Sequence, residues 1–275
     1  MLTEILIATG GALIGTALQV NKSSNIDAQA MRKYAKAFSR EQEAKRLIEQ
    51  KEKEADDSIL KLARRKKAII DTTIKDFLEI YESVQKINFE NGEGIKELTA
   101  LTISNADIAE LNGMSVSCSK MLTEKELVVG LLFKGIALGG GIGGMMIKDS
   151  ERTLSAANSQ MRAANVSYSQ AETIATMYDA VKDRAERLAT LLKKMNVLTV
   201  KSIIETKRLL SVNGTNVKSY QPSDKVVVMN CVNFVVAMKK ILDAPLFNQT
   251  GELEQQSIKA ISDGEAYINQ INQII

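Results

Sequence analysis

The sequence predicts an all-α, elongated protein built from long antiparallel helices in a coiled-coil-like bundle. No Gly or Pro occurs between Gly15 and Gly92 or between Gly144 and Gly214, and both stretches are rich in Ala, Glu, Lys, Arg and Leu, which are good helix formers. Both stretches also repeat apolar residues at alternating three- and four-residue steps, which is the pattern of a coiled-coil seam. A helix of about 60 residues extends roughly 90 Å, so a rod is expected.

The chain opens with an apolar segment, Ile5–Val20, which is expected to be a helix of the working protein. The residues before it include Glu4 and no Lys or Arg, so the basic region of a cleavable signal peptide is missing. Gly11 and Gly15 form a GxxxG pair, which favours close helix contact. As a helix the segment would extend about 24 Å against a hydrocarbon core of about 30 Å. A marginal membrane span and a buried or interfacial helix are the alternatives.

Two long helices are expected, around Asp27–Ile87 and around Asp149–Leu210. Asn-Gly pairs at 91–92 and 213–214 predict turns after them. The seam positions of the first helix are Ile70, Ile74, Phe77, Tyr81 and Val84, and those of the second are Ile174, Tyr178, Val181, Ala185, Leu188, Leu192 and Met195. After Pro222, the apolar run Val226–Leu242 and a last amphipathic segment predict two shorter helices.

The most unusual element is Leu127–Ile147, a nearly uncharged segment that holds seven of the sixteen glycines. Glycines recur there at four-residue spacing in two sets, Gly135 with Gly139 and Gly143, and Gly140 with Gly144. This spacing lines one helix face with small residues and lets another helix approach closely. Each glycine costs roughly 1 kcal/mol relative to alanine in a helix interior, so the segment needs surroundings that favour close approach. A lipid bilayer and a tight helix–helix interface are the two candidates.

As a membrane span this segment is long enough but borderline alone, since Lys134 near its middle costs about 2.5 to 3.5 kcal/mol on the insertion scale. Packing against copies of itself would give the glycine face a partner. Basic residues after each apolar segment predict conflicting orientations for two simple crossings, so a re-entrant hairpin, a later insertion and a buried non-membrane role stay open. The residues expected at a membrane or oligomer interface are Gly11, Gly15, Leu131, Leu132, Phe133, Lys134, Gly135, Gly139, Gly140, Gly143 and Gly144.

The two halves of the chain share a weak internal repeat. Met1–Glu4 recurs as Met121–Glu124, and three further matches keep a spacing of 130, namely Gly10-Gly11 with Gly140-Gly141, Met31-Arg32 with Met161-Arg162, and Phe38-Ser39 with Tyr168-Ser169. Duplication and chance similarity between helix-rich sequences both stay open. The chain is expected to divide into residues 1–120 and residues 121–275, each with a glycine-rich apolar helix and a long helical hairpin.

No feature of the sequence indicates an enzyme. There are no histidines, which removes the commonest general base and metal ligand. Cys118 and Cys231 have no CxxC spacing, so no zinc or redox motif is present, and a disulfide between them stays open. The glycine run lacks the lysine of a phosphate-binding loop, and the basic quartet Arg64–Lys67 is interpreted as a solvated helix face. No cofactor, metal, nucleic acid or small-molecule substrate is therefore expected.

In layout the chain resembles the helical α-pore-forming toxins of the cytolysin A and haemolysin BL type. The matching parts are the long helix around Asp27–Ile87, the head Leu127–Ile147 and the long helix around Asp149–Leu210. The high glycine content of this head and the additional apolar helix at Ile5–Val20 depart from that layout. The resemblance implies a soluble monomer that becomes a membrane-embedded oligomer.

Three hypotheses about function follow from these features. The first is a non-enzymatic, membrane-active protein that homo-oligomerises through its glycine-rich helices and forms or anchors a pore in a lipid bilayer. It would be membrane-associated, with a soluble cytoplasmic form as an alternative state. The second is a soluble scaffold that assembles into a filament, sheath or shell with the same helices as its subunit interface. The third is a membrane-anchored signalling coiled coil whose only anchor is Ile5–Val20.

Overall fold

A computed structural model describes the backbone of residues 26–87, 103–133 and 168–274, and their side chains except at 26–38, 168, 169 and 274. This backbone consists of helices, turns and two isolated β-bridges, so the predicted all-α class is confirmed. The helices are α1 (Ile26–Ile69), α2 (Lys75–Ile87), α3 (Asn105–Ser119), α4 (Glu124–Leu132), α5 (Tyr168–Asn213), α6 (Pro222–Asp243) and α7 (Gln255–Ile274), with a π-helical turn at Ile70–Ile74 and a 3-10 turn at Val217–Ser219.

The first long helix is continuous from Ile26 to Ile87, because α1, the π-helical turn and α2 follow one another without a gap. At the usual rise this run is roughly 90 Å long, as the absence of Gly and Pro predicts. α5 contains 46 residues and ends where Gly214 adopts a left-handed backbone with φ of 62°. Glycine reaches this conformation without steric cost, so the turn predicted at Asn213-Gly214 is confirmed.

α1 and α5 lie side by side and run in the same direction. Three contacts define their register: Lys51 with Asp179 at 2.8 Å, Lys182 with Glu54 at 2.9 Å, and Ser58 with Glu186 at 3.0 Å. All three join residues 128 positions apart. In an antiparallel pair the residue number would fall along one helix as it rises along the other. The predicted antiparallel arrangement is therefore wrong for the two long helices.

The prediction failed because it assumed two helical hairpins. Instead, α3 and α4 follow α2. α3 packs against the π-helical turn and α4 packs against α1, where Arg64 of α1 pairs with Glu124 at the start of α4. The chain then enters α5 in the direction of α1. Antiparallel packing occurs between α6 and α7, since Ile241 lies near Gly264 and the rings of Phe234 and Tyr267 are 6.5 Å apart.

α6 is the central helix, and every residue from 231 to 239 is buried. A helix that is buried on all sides must be surrounded by other elements, and α5 and α7 pack against it. Most of the predicted seam positions join the same core. The fully buried apolar side chains of α1, α2 and α5 include Leu62, Phe77, Leu188, Leu192 and Met195. The core is therefore built mainly from aliphatic side chains and methionine.

Gly264 allows α7 to approach its neighbours closely. A Cβ at this position would lie 2.5 Å from Leu191 Cδ2 and 3.3 Å from Ile241 Cδ1. Gly264→Leu is expected to lower the free energy of unfolding by about 2–3 kcal/mol, because the new side chain has no room between α5 and α6. Chemical denaturation measures the change. Ala266→Leu on the exposed face of α7 is the control, with an expected change below about 0.5 kcal/mol, and equal losses at both positions would contradict the prediction.

The face of α1 that carries Glu52 and Asp56 holds two carboxylates one helical turn apart. Glu52 is only 5% exposed. Burial, followed by repulsion from Glu52, raises the pKa of Asp56 from 3.8 to about 7. Because the folded state binds this proton more tightly than the unfolded state, Asp56 does not oppose folding below about pH 4 and opposes it increasingly as the pH rises to about 7.

Asp56→Asn is expected to raise the free energy of unfolding by about 1–2 kcal/mol at pH 8, with the partial exposure of Asp56 taken into account. Near pH 4 the substitution is expected to have little effect, because the native carboxyl is then neutral as well. Denaturation at a series of pH values measures the difference, with Asp57→Asn at the exposed neighbouring position as the control. An equal gain at both ends of the pH range would show that ionisation of Asp56 is not the cause.

Candidate functional site

The glycine-rich segment predicted at Leu127–Ile147 begins inside α4. A capping box fixes the start of this helix: Thr123 Oγ1 accepts a hydrogen bond from Glu126 N at 3.2 Å, and the Glu126 carboxylate accepts one from Thr123 N at 2.9 Å. α4 ends at Leu132, because Phe133 has an extended backbone with φ of −98° and ψ of 140°. The single helix expected over Leu127–Ile147 is therefore interrupted at Phe133.

The end of α4 is held by the chain that follows α6. The Leu132 carbonyl oxygen accepts hydrogen bonds from Leu246 N at 2.7 Å and Phe247 N at 2.9 Å. Phe133 forms a parallel β-bridge with Phe247, and the centroids of their rings are 5.1 Å apart. We call these four residues the Phe133 clamp. The clamp supplies the hydrogen bonds that a longer helix would have given Leu132, and it fixes the residue after which the glycine run starts.

Lys66 of α1 lies beneath the clamp and has no exposed surface. Its Nζ donates hydrogen bonds to three backbone carbonyls: Leu131 at 3.1 Å, Leu242 at 2.8 Å and Ala244 at 2.7 Å. An ammonium group has three donors, so each one has an acceptor. Leu131 lies in the last turn of α4, Leu242 lies in the last turn of α6, and Ala244 is the C-cap of α6. One side chain therefore satisfies carbonyls that the termini of two helices leave without helical partners.

The electrostatic environment of Lys66 contains opposing effects. Burial lowers the pKa of Lys66 to about 7, and the charge of Asp243 acts in the other direction. The carbonyl ends of α4 and α6 carry partial negative charge, and this also favours the ammonium form. With a pKa of about 7, Lys66 is about half protonated at neutral pH, and its ammonium form depends on the two helix ends staying in place.

A second buried lysine links α3 to α6 by ion pairs near Lys66. Lys239 is 7% exposed, and its Nζ lies 2.5 Å from Glu110 Oε2, 2.7 Å from Asp243 Oδ2 and 3.4 Å from Asp107 Oδ1. Burial alone would lower the pKa of Lys239, but hydrogen bonds to Asp243 and Glu110 raise it. The ends of α4 and α6 and the start of α3 are thus held together by two buried lysines.

Three of the residues predicted for a membrane or oligomer interface lie in this site. Leu131, Leu132 and Phe133 are 5%, 0% and 4% exposed and belong to the core. The other predicted positions, Gly11, Gly15, Lys134, Gly135, Gly139, Gly140, Gly143 and Gly144, lie outside the described residues. Close approach by a glycine does occur at Gly130, where a Cβ would lie 2.4 Å from Met121 Cε. An interface role for the predicted set stays a prediction.

Sequence reasoning missed Lys66. The basic quartet Arg64–Lys67 was interpreted as solvated, but Lys66 is buried, and Lys67 donates to the Cys118 carbonyl at 2.7 Å and pairs with Asp71 at 2.9 Å. The signal was its spacing: Lys66 lies four residues after Leu62 and four before Ile70, on the apolar seam of α1.

The two cysteines are separate, buried and reduced. The disulfide that the sequence left open is therefore not formed in this structure. Burial raises the pKa of both Cys118 and Cys231 to about 11, so neither thiol has the thiolate character of a reactive cysteine.

Fold and site together define a class: an all-α bundle on a parallel pair of long helices, in which a buried lysine and a clamp hold the start of a glycine-rich segment. Over residues 26–87, 103–133 and 168–274, no helix combines the length and the low polarity that a bilayer crossing needs. No family model matches the chain, and no curated protein or solved structure matches it.

Proposed function

We propose that this chain is a non-enzymatic, membrane-active protein that oligomerises and forms or anchors a pore through its glycine-rich helices. A lipid bilayer and further copies of the chain would be its partners. The observation that carries the proposal is the position of the glycine sets, which begin two residues after the clamped Phe133. The layout shared with helical α-pore-forming toxins supports the same conclusion.

The length of the segment implies that α4 takes part in insertion. Residues 134–147 alone would make a helix of about 21 Å, which is shorter than the roughly 30 Å hydrocarbon core. Adding residues 127–133 gives about 32 Å. Those residues are apolar and mostly buried in the core, so their side chains suit lipid once α4 has left the bundle. On this proposal, the Phe133 clamp and Lys66 hold the segment before insertion.

A soluble self-assembling scaffold is the second candidate. Exposed aliphatic side chains in the last turn of α3 and just before α4 favour it, since Val116 is 56% and Leu122 88% exposed, and large exposed apolar residues often mark subunit contacts. Size-exclusion chromatography without lipid or detergent distinguishes the two candidates. Large regular assemblies under those conditions would favour the scaffold.

Dye release from liposomes tests the membrane proposal. We expect micromolar protein to release the dye, and we expect Gly139→Leu to reduce release by about ten-fold or more, because leucine prevents close helix approach. Gly141→Leu, which lies in the same run but on neither glycine set, is the matched control and is expected to keep release. No release together with no co-sedimentation of protein and liposomes would contradict the proposal.

A further inference from the structure

α5 presents a basic and apolar surface stripe in its second half. The stripe consists of Lys193, Val197, Lys201, Ile204 and Arg208, all exposed. At 3.6 residues per turn these positions fall within an arc of about 80°, and the stripe is about 22 Å long. Val197 is 61% and Ile204 62% exposed, although both are large aliphatic residues. Cationic and aliphatic side chains therefore alternate along one face.

α1 extends this basic surface across a groove of about 540 Å³ between the two helices. Among the described residues, the cations that line the groove are Lys61, Arg64, Arg65 and Lys193, and the one lining carboxylate is Asp57. Arg64 pairs with Glu124, and Arg65 donates to the Ala189 carbonyl at 3.1 Å. Lys61, Lys193 and Lys201 have no ion-pair partner among the residues that the structure describes, so their charges face solvent.

No described helix covers the stripe. α7 packs on another side of α5, where Leu191 lies near Gly264 and Arg187 pairs with Glu265 at 3.1 Å. On the stripe itself, Arg208 pairs with Glu205 at 2.6 Å, which partly neutralises its lower end. Within the stripe and the adjoining groove, the described cations without an ion-pair partner are therefore Lys61, Lys193 and Lys201.

We propose that the α5 stripe together with Lys61 docks on the surface of an anionic lipid bilayer. Lysines contribute about 1 kcal/mol each near an anionic membrane surface, and exposed aliphatic side chains beside them enter the boundary between headgroups and acyl chains. Single-stranded nucleic acid would need aromatic side chains for base stacking, and the large exposed apolar residues of the described chain are Val, Leu, Ile and Met.

This surface is separate from the glycine-rich segment, so docking goes beyond the proposed pore and is measured independently of it. A docked bundle would lie with α5 along the membrane plane, since the stripe follows the helix axis. Basic and aliphatic groups would contact the lipid together, and the stripe would select membranes that carry negative charge.

Co-sedimentation with vesicles tests the inference. The full chain is mixed with vesicles of phosphatidylcholine containing about one third phosphatidylglycerol, and with vesicles of phosphatidylcholine alone. We expect binding to the anionic vesicles, at least ~10-fold weaker binding to the neutral ones, and strong weakening at high salt. The triple variant Lys61→Glu, Lys193→Glu, Lys201→Glu is expected to bind the anionic vesicles at least ~10-fold more weakly than the unmodified chain.

The matched control is the triple variant Lys218→Glu, Lys240→Glu, Lys259→Glu, at exposed positions outside α1 and α5. Each reversal removes two charge units, so both variants change the formal net charge from +3 to −3. Circular dichroism is used to check that both variants are folded. We expect the control to bind much better than the stripe variant.

Several results would overturn the inference: equal weakening by both variants, equal binding to neutral and anionic vesicles, or tighter binding to duplex DNA or RNA than to the vesicles. Failure of the two proposals is distinguishable. Binding to anionic vesicles without dye release would leave docking intact and contradict the pore, whereas dye release together with unchanged vesicle binding by the stripe variant would contradict docking alone.

Discussion

Lys66→Met is expected to lower the free energy of unfolding by about 1–3 kcal/mol, because the loss of three buried hydrogen bonds outweighs relief of the burial cost that lowers the pKa of Lys66 to about 7. Methionine fills similar space but donates no hydrogen bond, so the carbonyls of Leu131, Leu242 and Ala244 would lose their shared donor. A buried acceptor without a partner costs about 1–3 kcal/mol, and the ends of α4 and α6 would lose a compensating charge. Urea denaturation near neutral pH measures the loss.

Lys61→Met is the matched control for this prediction. Lys61 lies on the same helix but is exposed, so the same substitution is expected to change stability by less than about 0.5 kcal/mol. A loss below about 1 kcal/mol for Lys66→Met would mean that the ammonium group does not hold the two helix ends. The anchoring role of Lys66 would then have to be abandoned.

A disulfide between positions 133 and 247 is expected to abolish dye release. Residues that face each other across a β-bridge lie about 5 Å apart, which is within the range of disulfide geometry, so Phe133→Cys with Phe247→Cys should oxidise readily. The bond would keep α4 in the core, and residues 134–147 alone are too short to span the bilayer. We expect release at least ~10-fold slower in the oxidised protein.

The reduced form of the same double variant is the control, because it carries identical substitutions without the cross-link. Native Cys118 and Cys231 are buried and should compete poorly for the oxidant. Equal release by the oxidised and reduced forms would show that α4 stays in place during membrane insertion. A short or re-entrant element after Phe133 would then have to account for the activity.

Local sequence features predicted the helices well but not their arrangement. The absence of Gly and Pro, together with the apolar seam, predicted the helix that runs from Ile26 to Ile87, and the Asn213-Gly214 pair predicted the end of α5. Both signals depend on backbone and side-chain preferences that act within a few residues. α3 and α4 lie between the two long helices in sequence, and their packing determines the direction of α5 relative to α1. Apolar periodicity carries no information on that packing.

The site was harder to predict than the helices, because it depends on contacts between residues that are far apart in sequence. Phe133 lies in the middle of an apolar run, and nothing local distinguishes it from its neighbours, because its extended backbone depends on pairing with Phe247, more than a hundred residues later. The charge pattern of Arg64–Lys67 predicts a solvated helix face, and the burial of Lys66 departs from it. The role of this lysine as a hydrogen-bond donor follows only from the folded structure, in which the ends of α4 and α6 meet at Lys66.

Because the two long helices run in the same direction, the two ends of the helix pair are different. Their contact offset of 128 residues is close to the 130-residue spacing of the sequence repeat, so corresponding positions of the two halves lie almost opposite each other, as in a parallel homodimer. Each long helix is also preceded by a glycine-containing apolar stretch. Because α1 and α5 run in the same direction, their first residues lie toward the same end of the bundle, so the chain enters both long helices from one side of the molecule.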